Sequence, residues 1–566
     1  MHLIESIKHY INLMVQETGV GMKCLLMDKE TTSIVSMAYS QTEMLDKEVY
    51  LFERIDRISS CDHMKYLKCI VFLRPTKENI DLLIQELRNP KFGQYHIYFS
   101  NIISNSDIMT LAESDEHESV RDVQEFYSDF IAVSPTLFSV NVTNGSFRGN
   151  KWNPSALQRS LDGIIGVLLS LQKYPNIRYQ ASSDACRKLA DEVNHLINKE
   201  HSLFANCSQN WPNDSPAPLL LVLDRKIDAF TPLLNQWTYQ AMLHELLTIN
   251  NNRINLSNIQ GISKDMREVV VSAEQDDFYS KNMYKNFGEI GINIKILMED
   301  FQDKTKSQKK VETISDMKDF IEQYPQFKKM SGTVSKHVLL ISELSRLVAA
   351  HNLMDVSEAE QEMACQSEHS KSLKKVRQLL EDSRVQNIDK LRLVMLYALR
   401  FENNSNQEIA ELKKILKSKG IPEEQIKSIQ SLLNYAGFKS QNQTQTDLLS
   451  TVNEVFKKRI IKGLKGIENI YTQHTPILRE IIEDLARGRL KVNNFPYLTE
   501  DRSQGTEKPT DIIIFMVGGT TYEEALHVDA LNRSLPGVRI ILGSTCIHNL
   551  ASFLDELSYT SSRTGF

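Results

Sequence analysis

The residues best suited to chemistry gather at one point of the chain. Asp224, Arg225 and Asp228 follow an apolar run, Leu219–Leu223. Two carboxylates so close could divide general acid and general base work. In an open α/β sheet they would stand where ligands bind, beyond the carboxyl end of a strand. Further on, His244-Glu245 matches the start of a zinc-protease helix. The second histidine of that motif is replaced by Thr248, so no zinc site forms. Val517-Gly518-Gly519-Thr520-Thr521 follows another apolar run and opens a helix, the usual place of a phosphate loop. It matches neither the Walker spacing nor the dinucleotide spacing. Thr520 or Thr521 reads as an N-cap, and Glu523 and Glu524 in the first turn favour the helix dipole while repelling a phosphate.

Arg225 and Lys226 sit between the two aspartates. The knot therefore reads as an ion-pair network, buried or at a rim, that ties a strand to a loop. Trp237 and Tyr239 read as core anchors rather than a stacking platform. No catalytic residue, metal ligand or cofactor is assigned. The competing reading is an α/β enzyme or nucleotide-dependent switch using the Asp224/Arg225/Asp228 knot and Gly518-Gly519.

The elements that hold these residues follow from hydrophobic periodicity. Lys23–Asp28, Lys68–Leu73 and Tyr95–Ser100 are expected strands, with a helix through Ile80, Leu83, Ile84 and Leu87. Alternation of strands and helices implies parallel pairing. A second α/β block starts after Ser134-Pro135 and contains a helix at Ser155–Gln172 and the strand Leu219–Leu223. From about Asn250 to Asn469 the pattern is mostly helical and charged, and Ser357 and Glu360 fit a capping box. Strands return at Asp511–Val517 and Val538–Leu542. A fully buried strand needs neighbours, so these late strands are expected to join the sheet begun before residue 245, leaving the helical region as an insertion.

Composition narrows the function. The 566 residues allow about three domains, and 41% apolar with 24% charged content is ordinary for a globular protein. A net charge of −6 gives no reason to expect nucleic acid. No apolar run is long enough to span a bilayer, so membrane association is expected through partners. Leu3, Ile7, Ile11 and Met14 recur at helical spacing, an amphipathic helix rather than a signal peptide. Seven cysteines without a CxxC pair suit neither a disulfide framework nor zinc. A cytosolic protein is expected.

The segment DR-x-x-D-x-x-TPLL-x-x-WTYQAM-x-HELL-x-I-NNNR, Asp224–Arg253, resembles the signature of the Sec/Munc (SM) family of SNARE-binding proteins. VGGTTYEEA resembles that family's C-terminal signature. MDKETTSIVSMAYSQTEML (Met27–Leu45), FLRPTKENIDLLIQELRNPKF (Phe72–Phe92), YPQFKKMSGTVSKHV (Tyr324–Val338) and KGLKGIENIYTQH (Lys462–His474) are similar to the branch serving the trans-Golgi network and endosomes. The resemblance implies an arch of three domains: residues 1–130 as an N-terminal α/β domain, 131–245 and 471–566 as two parts of a second, and 246–470 as a mostly helical third. It makes Asp224, Arg225, Asp228, Trp237 and Glu245 a structural signature. It also implies binding of a Qa-SNARE (syntaxin) and its SNARE complex and, in some relatives, of an endosomal tether linked to a small GTPase.

Two further segments take their meaning from it. Ile108, Leu111 and Ala112, then Val120, Val123 and Tyr127 after the acidic turn Glu113–Glu118, fall at helical spacing. They read as two short helices that either pack on the first sheet or leave an apolar groove. The resemblance implies the groove, with Ile108, Leu111, Ala112, Val120 and Val123 as a pocket for a syntaxin N-terminal peptide. Pro325 disfavours helix at Tyr324 and is welcome in the first turn of a new one. A helix restarting at Gln326 is therefore expected, and the resemblance gives Pro325, Gln326 and Lys328 a part in engaging SNARE helices. The basic runs Lys304–Lys310 and Lys371–Lys375 read as solvated helix faces.

Overall fold

The apolar runs become the strands of two parallel sheets. The computed structural model describes residues 1–566 apart from 61–62, 143–146, 149–150, 210–215, 309–313, 366–367, 402–405, 438–470, 472, 500–507 and 562–566. The first sheet holds β1 (Lys23–Met27), β2 (Val49–Arg54), β3 (Met64–Leu73), β4 (Phe92–Phe99) and β5 (Val120–Glu125) in the order β2-β1-β3-β4-β5. The second draws on β6 (Ile131–Ser134), β7 (Leu137–Ser139), β10 (Asn176–Tyr179), β11 (Leu219–Asp224), β14 (Asp511–Val517) and β15 (Arg539–Ser544), in the order β10-β11-β14-β15-β7-β6. Between these in sequence lie two antiparallel hairpins, β8 (Phe147–Arg148) with β9 (Lys151–Trp152), and β12 (Arg253–Asn255) with β13 (Glu268–Val270). The second hairpin interrupts the stretch expected to be helical. The parallel rule has one exception in the large sheets, where β6 runs antiparallel to β7 across a tight turn.

β14 lies between β11 and β15, with Leu219 opposite Ile512 and Asp224 opposite Val517. The late strands therefore complete the earlier sheet. All residues of β11 and β14 are buried, which is why both read as unbroken apolar runs. Alternate residues serve two cores. Leu220, Val222, Ile513 and Phe515 join a core that also takes Leu25, Ile70 and Phe72 of the first sheet. Leu219, Leu221, Ile512 and Ile514 face a core that includes Leu340 and Leu344 of the helical region.

The carboxyl end of the first sheet is occupied by its own ion pairs. Arg74, just after β3, donates to Asp129 at 2.8 Å and to Asp162 at 3.1 Å, and Arg159 stands 3.1 Å from Asp129. Asp162 and Arg159 belong to the Pro154–Ser170 helix, so the clamp ties the first sheet to the second block.

The structure departs from the sequence reading at three further places. Val120–Tyr127 does not continue a helix; β5 is the edge strand of the first sheet. The helix expected to restart at Gln326 instead runs unbroken over Ile314–Ala350, with Pro325 in its interior. A proline costs about 3 kcal/mol there, and packing against the Phe287–Gln308 helix and burial of Leu340 and Leu344 offset it. Ser357 and Glu360 form no capping box, because the Leu353–Cys365 helix begins before them.

In β15, Gly543 lies opposite Phe138, and a Cβ there would stand 1.9 Å from the Phe138 ring. Gly543→Ala is expected to destabilise the second sheet by about 1–3 kcal/mol or more, read as a lower urea midpoint with an unchanged fold by circular dichroism.

Candidate functional site

The knot at the end of β11 is a closed structure. Arg225 is wholly buried, and its Nη1 donates to both carboxylate oxygens of Glu524 at 2.7 Å. Its Nη2 lies 3.8 Å from Asp228. Asp228 accepts from the Thr231 hydroxyl at 2.6 Å and from the backbone N–H groups of Phe230, Thr231 and Ile477. Burial alone would raise its pKa. The Arg225 guanidinium and the Thr231 hydrogen bonds outweigh that and hold Asp228 at about 2. Asp224 accepts from Ser183 Oγ at 2.6 Å and from the N–H of Lys226. Neither aspartate has a free face for acid–base work.

The glycine turn after β14 is equally filled. Thr521 caps the Tyr522–Ser534 helix in a capping box with Glu524, and Glu524 also accepts from Thr520 Oγ1. Gly518 and Gly519 adopt φ of 86° and 91°, a region that favours glycine. A Cβ on Gly519 would meet His548 at 2.3 Å, and one on Gly518 would meet Arg225 and Tyr435 at 3.1 Å. A phosphate has no room there. Cys546 and His548 come within 3.5 Å, but His548 Nε2 donates to the Gly518 carbonyl and burial pushes the thiol pKa far up. The pair supplies no nucleophile.

The rest of the signature grips the helical region. Trp237 Nε1 donates to Ser357 Oγ at 2.7 Å, and its ring packs between Phe287 and Tyr471. Asn235 donates twice to Glu360, through N and Nδ2, both at 2.8 Å. Glu245 accepts from the N–H of Leu550 and from Arg392. Arg392 thus faces three carboxylates, Glu245, Glu360 and Asp389. His244 serves packing: its Nε2 donates to the Ile547 carbonyl and its Nδ1 accepts from the N–H of Ile249. Thr248, Asn251 and Asn252 take positive φ, and asparagine tolerates that turn better than most residues. Arg392 escaped the sequence reading, and so did the pairing of Glu524, read there only as a first-turn carboxylate, with Arg225. Glu524 lies 299 residues from its partner, and no local spacing signals such a pair.

The segment expected to form a peptide pocket is built differently from that expectation. Ser104 caps the Asn105–Ser114 helix, which packs against the Lys77–Arg88 helix, and the second helix expected after it is the strand β5. The register slips by one residue between the β4–β5 partners Tyr95↔Val120 and His96↔Asp122. That slip puts Val120 and Val123 on the same side of the sheet as Tyr95 and Ile97, the side the helix covers. Leu111 is only 3% exposed and packs in that core, whereas Ile108, Met109 and Val123 are 37%, 64% and 40% exposed; Ala112 is exposed too. In the acidic turn, Asp115 is consumed locally by the N–H groups of Ser119 and Val120. Glu113, Glu116 and Glu118 remain exposed.

The second open face lies on the paired long helices. Ile292 and Ile296, one turn apart on the Phe287–Gln308 helix, are 63% and 51% exposed. Lys328 is exposed on the neighbouring helix; the side chains of Pro325 and Gln326 lie outside the described residues. Lys371 and Lys375 pair with Glu362 and Glu358, while the side chains of Lys304–Lys310 are not described. Among the described residues no helix is long and apolar enough to cross a membrane.

Two parallel sheets with filled crevices, the second completed across a helical insertion, define a mixed α/β scaffold. The chain belongs to the Sec1 family, whose model matches residues 23–556. It is 55% identical over 98% of its length to human vacuolar protein sorting-associated protein 45, covering 96% of that protein. The Saccharomyces cerevisiae protein of that name is 35% identical, with 98% of this chain and 99% of the yeast protein covered. Among solved structures, the SM protein Vps45 in complex with the Qa SNARE Tlg2 (1-310) matches with a TM-score of 0.89 and 42% identity, covering 100% of this chain and 99% of that one. The Unc18–syntaxin 1 complex of Monosiga brevicollis, 19% identical, shares the fold with a TM-score of 0.79, covering 99% of this chain and 100% of that one.

The Arg392 cluster has a pH signature. Burial, with Asp389 and Glu245 adding to it, pushes Glu360 up to about 7 against the pull of Arg392. The folded protein then keeps a proton that the unfolded chain releases near pH 4.3, so stability falls as pH rises from about 4.3 to 7. The loss is on the order of 2–4 kcal/mol. Glu360→Gln is expected to flatten urea midpoints between pH 5 and 7. A wild-type midpoint that does not fall across that range contradicts it.

Proposed function

We propose that the protein is a non-enzymatic SM-type regulator of SNARE-mediated fusion in traffic between the trans-Golgi network, endosomes and vacuole. It binds a Qa-SNARE of the syntaxin class and promotes SNARE assembly. The observation that carries this reading is the whole-chain likeness to an SM protein solved in complex with a Qa SNARE. The distribution of surface supports it: both sheet crevices are sealed by the chain's own side chains, and the exposed apolar side chains lie elsewhere. The work divides along domains 1–130, 131–245 with 471–566, and 246–470. A syntaxin N-terminal peptide sits over Ile108, Ala112 and Val123, with Leu111 and Val120 as the packed floor. Glu113, Glu116 and Glu118 favour a basic residue in that peptide by roughly 0–1 kcal/mol. The Phe287–Gln308 and Ile314–Ala350 helices, with Pro325, Gln326 and Lys328, engage SNARE helices. Tethering through the peptide raises the effective concentration of the second contact.

The protein acts in the cytosol and reaches Golgi and endosomal membranes through partners, including an endosomal tether linked to a small GTPase. No nucleotide, metal or nucleic acid takes part. Nucleotides and divalent metals in a thermal-shift screen are expected to leave the melting temperature unchanged; a reproducible shift would revive the enzyme or switch reading at Gly518-Gly519.

Calorimetry with a synthetic N-terminal peptide of a Golgi/endosomal syntaxin tests the first contact. Ile108→Arg or Val123→Arg is expected to weaken binding roughly 10- to 100-fold, the worth of one buried aliphatic side chain, with no loss of thermal stability. Wild-type affinity in both variants sinks the pocket. Pro325→Ala removes a penalty of about 3 kcal/mol from the continuous helix. It is expected to slow hydrogen exchange around Tyr324 and to strengthen binding of a SNARE-motif helix. Identical protection in both forms counts against it.

A further inference from the structure

One loop, residues 271–276, touches both the N-terminal block and the root of the Ile314–Ala350 helix. Glu274 accepts from Lys8 of the Leu3–Glu17 helix at 2.7 Å. Two residues later, Asp276 Oδ1 caps the Asp277–Asn282 helix by accepting from the N–H of Tyr279 at 3.0 Å. Its other oxygen accepts from His337 Nε2 at 2.9 Å and from Lys336. Lys336 also donates to the Val270 carbonyl at 2.9 Å. His337 is wholly buried, and its Nδ1 accepts from the Tyr239 hydroxyl at 2.8 Å. The relay therefore ends in the Tyr239–Leu247 helix, which also carries the signature residue Glu245.

Its neighbours on the long helix, Leu340 and Leu344, make only apolar contacts. Such contacts hold a helix against a core without fixing its rotation or slide, because hydrophobic attraction has no direction. Charge-assisted hydrogen bonds do have direction. We propose that Asp276 is a positioning residue: through His337 and Lys336 it fixes the direction of the Ile314–Ala350 helix, and through Glu274 the same loop refers that direction to the N-terminal block. The two proposed SNARE contacts are then held at a set separation by one short loop. The assignment of the two SNARE contacts, to the long helix and to the first domain, rests on the function proposed above.

The experiment uses the full chain, with spin labels carried on unnatural amino acids at the exposed positions Lys29 and Lys328. Asp276→Asn keeps the size and capping ability of the side chain but removes its charge. It is expected to shift or broaden the distance distribution. Binding of an isolated SNARE-motif helix falls by about 3- to 30-fold, while binding of the N-terminal peptide stays at the wild-type value. Tyr239→Phe and Glu274→Gln each remove one link and are expected to broaden the distribution less; they carry the test if Asp276→Asn does not fold. An unchanged distribution in the folded variants overturns the proposal, as does equal weakening of both ligands in step with thermal stability. Failure of the wild-type chain to bind the SNARE-motif helix overturns the proposed function instead, and the distance measurement still decides the role of Asp276.

Discussion

The joint between β11 and the Tyr522–Ser534 helix depends on the Arg225–Glu524 pair. A guanidinium removed from water is tolerated only with a well-placed counter-charge, and Glu524 supplies it across 299 residues of sequence. The same carboxylate caps its own helix, so a single side chain both starts the Tyr522–Ser534 helix and locks it to the end of β11. Removing it would leave a buried positive charge beside Asp228 alone and an uncapped helix. Replacing the whole pair by apolar groups is a different matter, and buried pairs often tolerate it. What such a swap would lose is geometry, because only a bidentate carboxylate sets the angle between strand and helix.

The crevice at the carboxyl end of a parallel sheet usually receives a ligand. Here both crevices receive protein. Arg74 with Asp129 and Asp162 fills the first, and the Arg225 cluster with Tyr435, Cys546 and His548 fills the second. The positions that would bind substrate in an α/β enzyme have become the joints between the chain's own parts. Polarity suits that task, since hydrogen bonds fix orientation where apolar packing alone does not.

That the late strands join the earlier sheet was legible in the sequence because β11 and β14 are buried on both faces and read as continuous apolar runs. So was the nature of the knot, once Arg225 was seen between two aspartates. β5 was not legible. Val120 and Val123 share a face in a helix through the three-residue spacing, and they share one in the strand only because the register slips beside Arg121. Helix and bulged strand therefore give the same pattern, and the order Ile108, Leu111, Ala112 before them tipped it the wrong way. Pro325 misled for another reason. A local penalty predicts a break, but the length of the Ile314–Ala350 helix and its buried far half outweigh one proline. Ser357 and Glu360 matched a cap by spacing, and only tertiary structure assigns them to Trp237 and Asn235.

The helical region leaves the second sheet at the carboxyl end of β11 and returns at the amino end of β14, and these strands are parallel neighbours. Load applied to the insertion therefore reaches the two neighbouring strands at opposite ends. The hydrogen bonds between them are stressed together, in shear, rather than opened one after another from a free end. A strand pair loaded in this direction resists pulling on the insertion better than one unzipped from a free end.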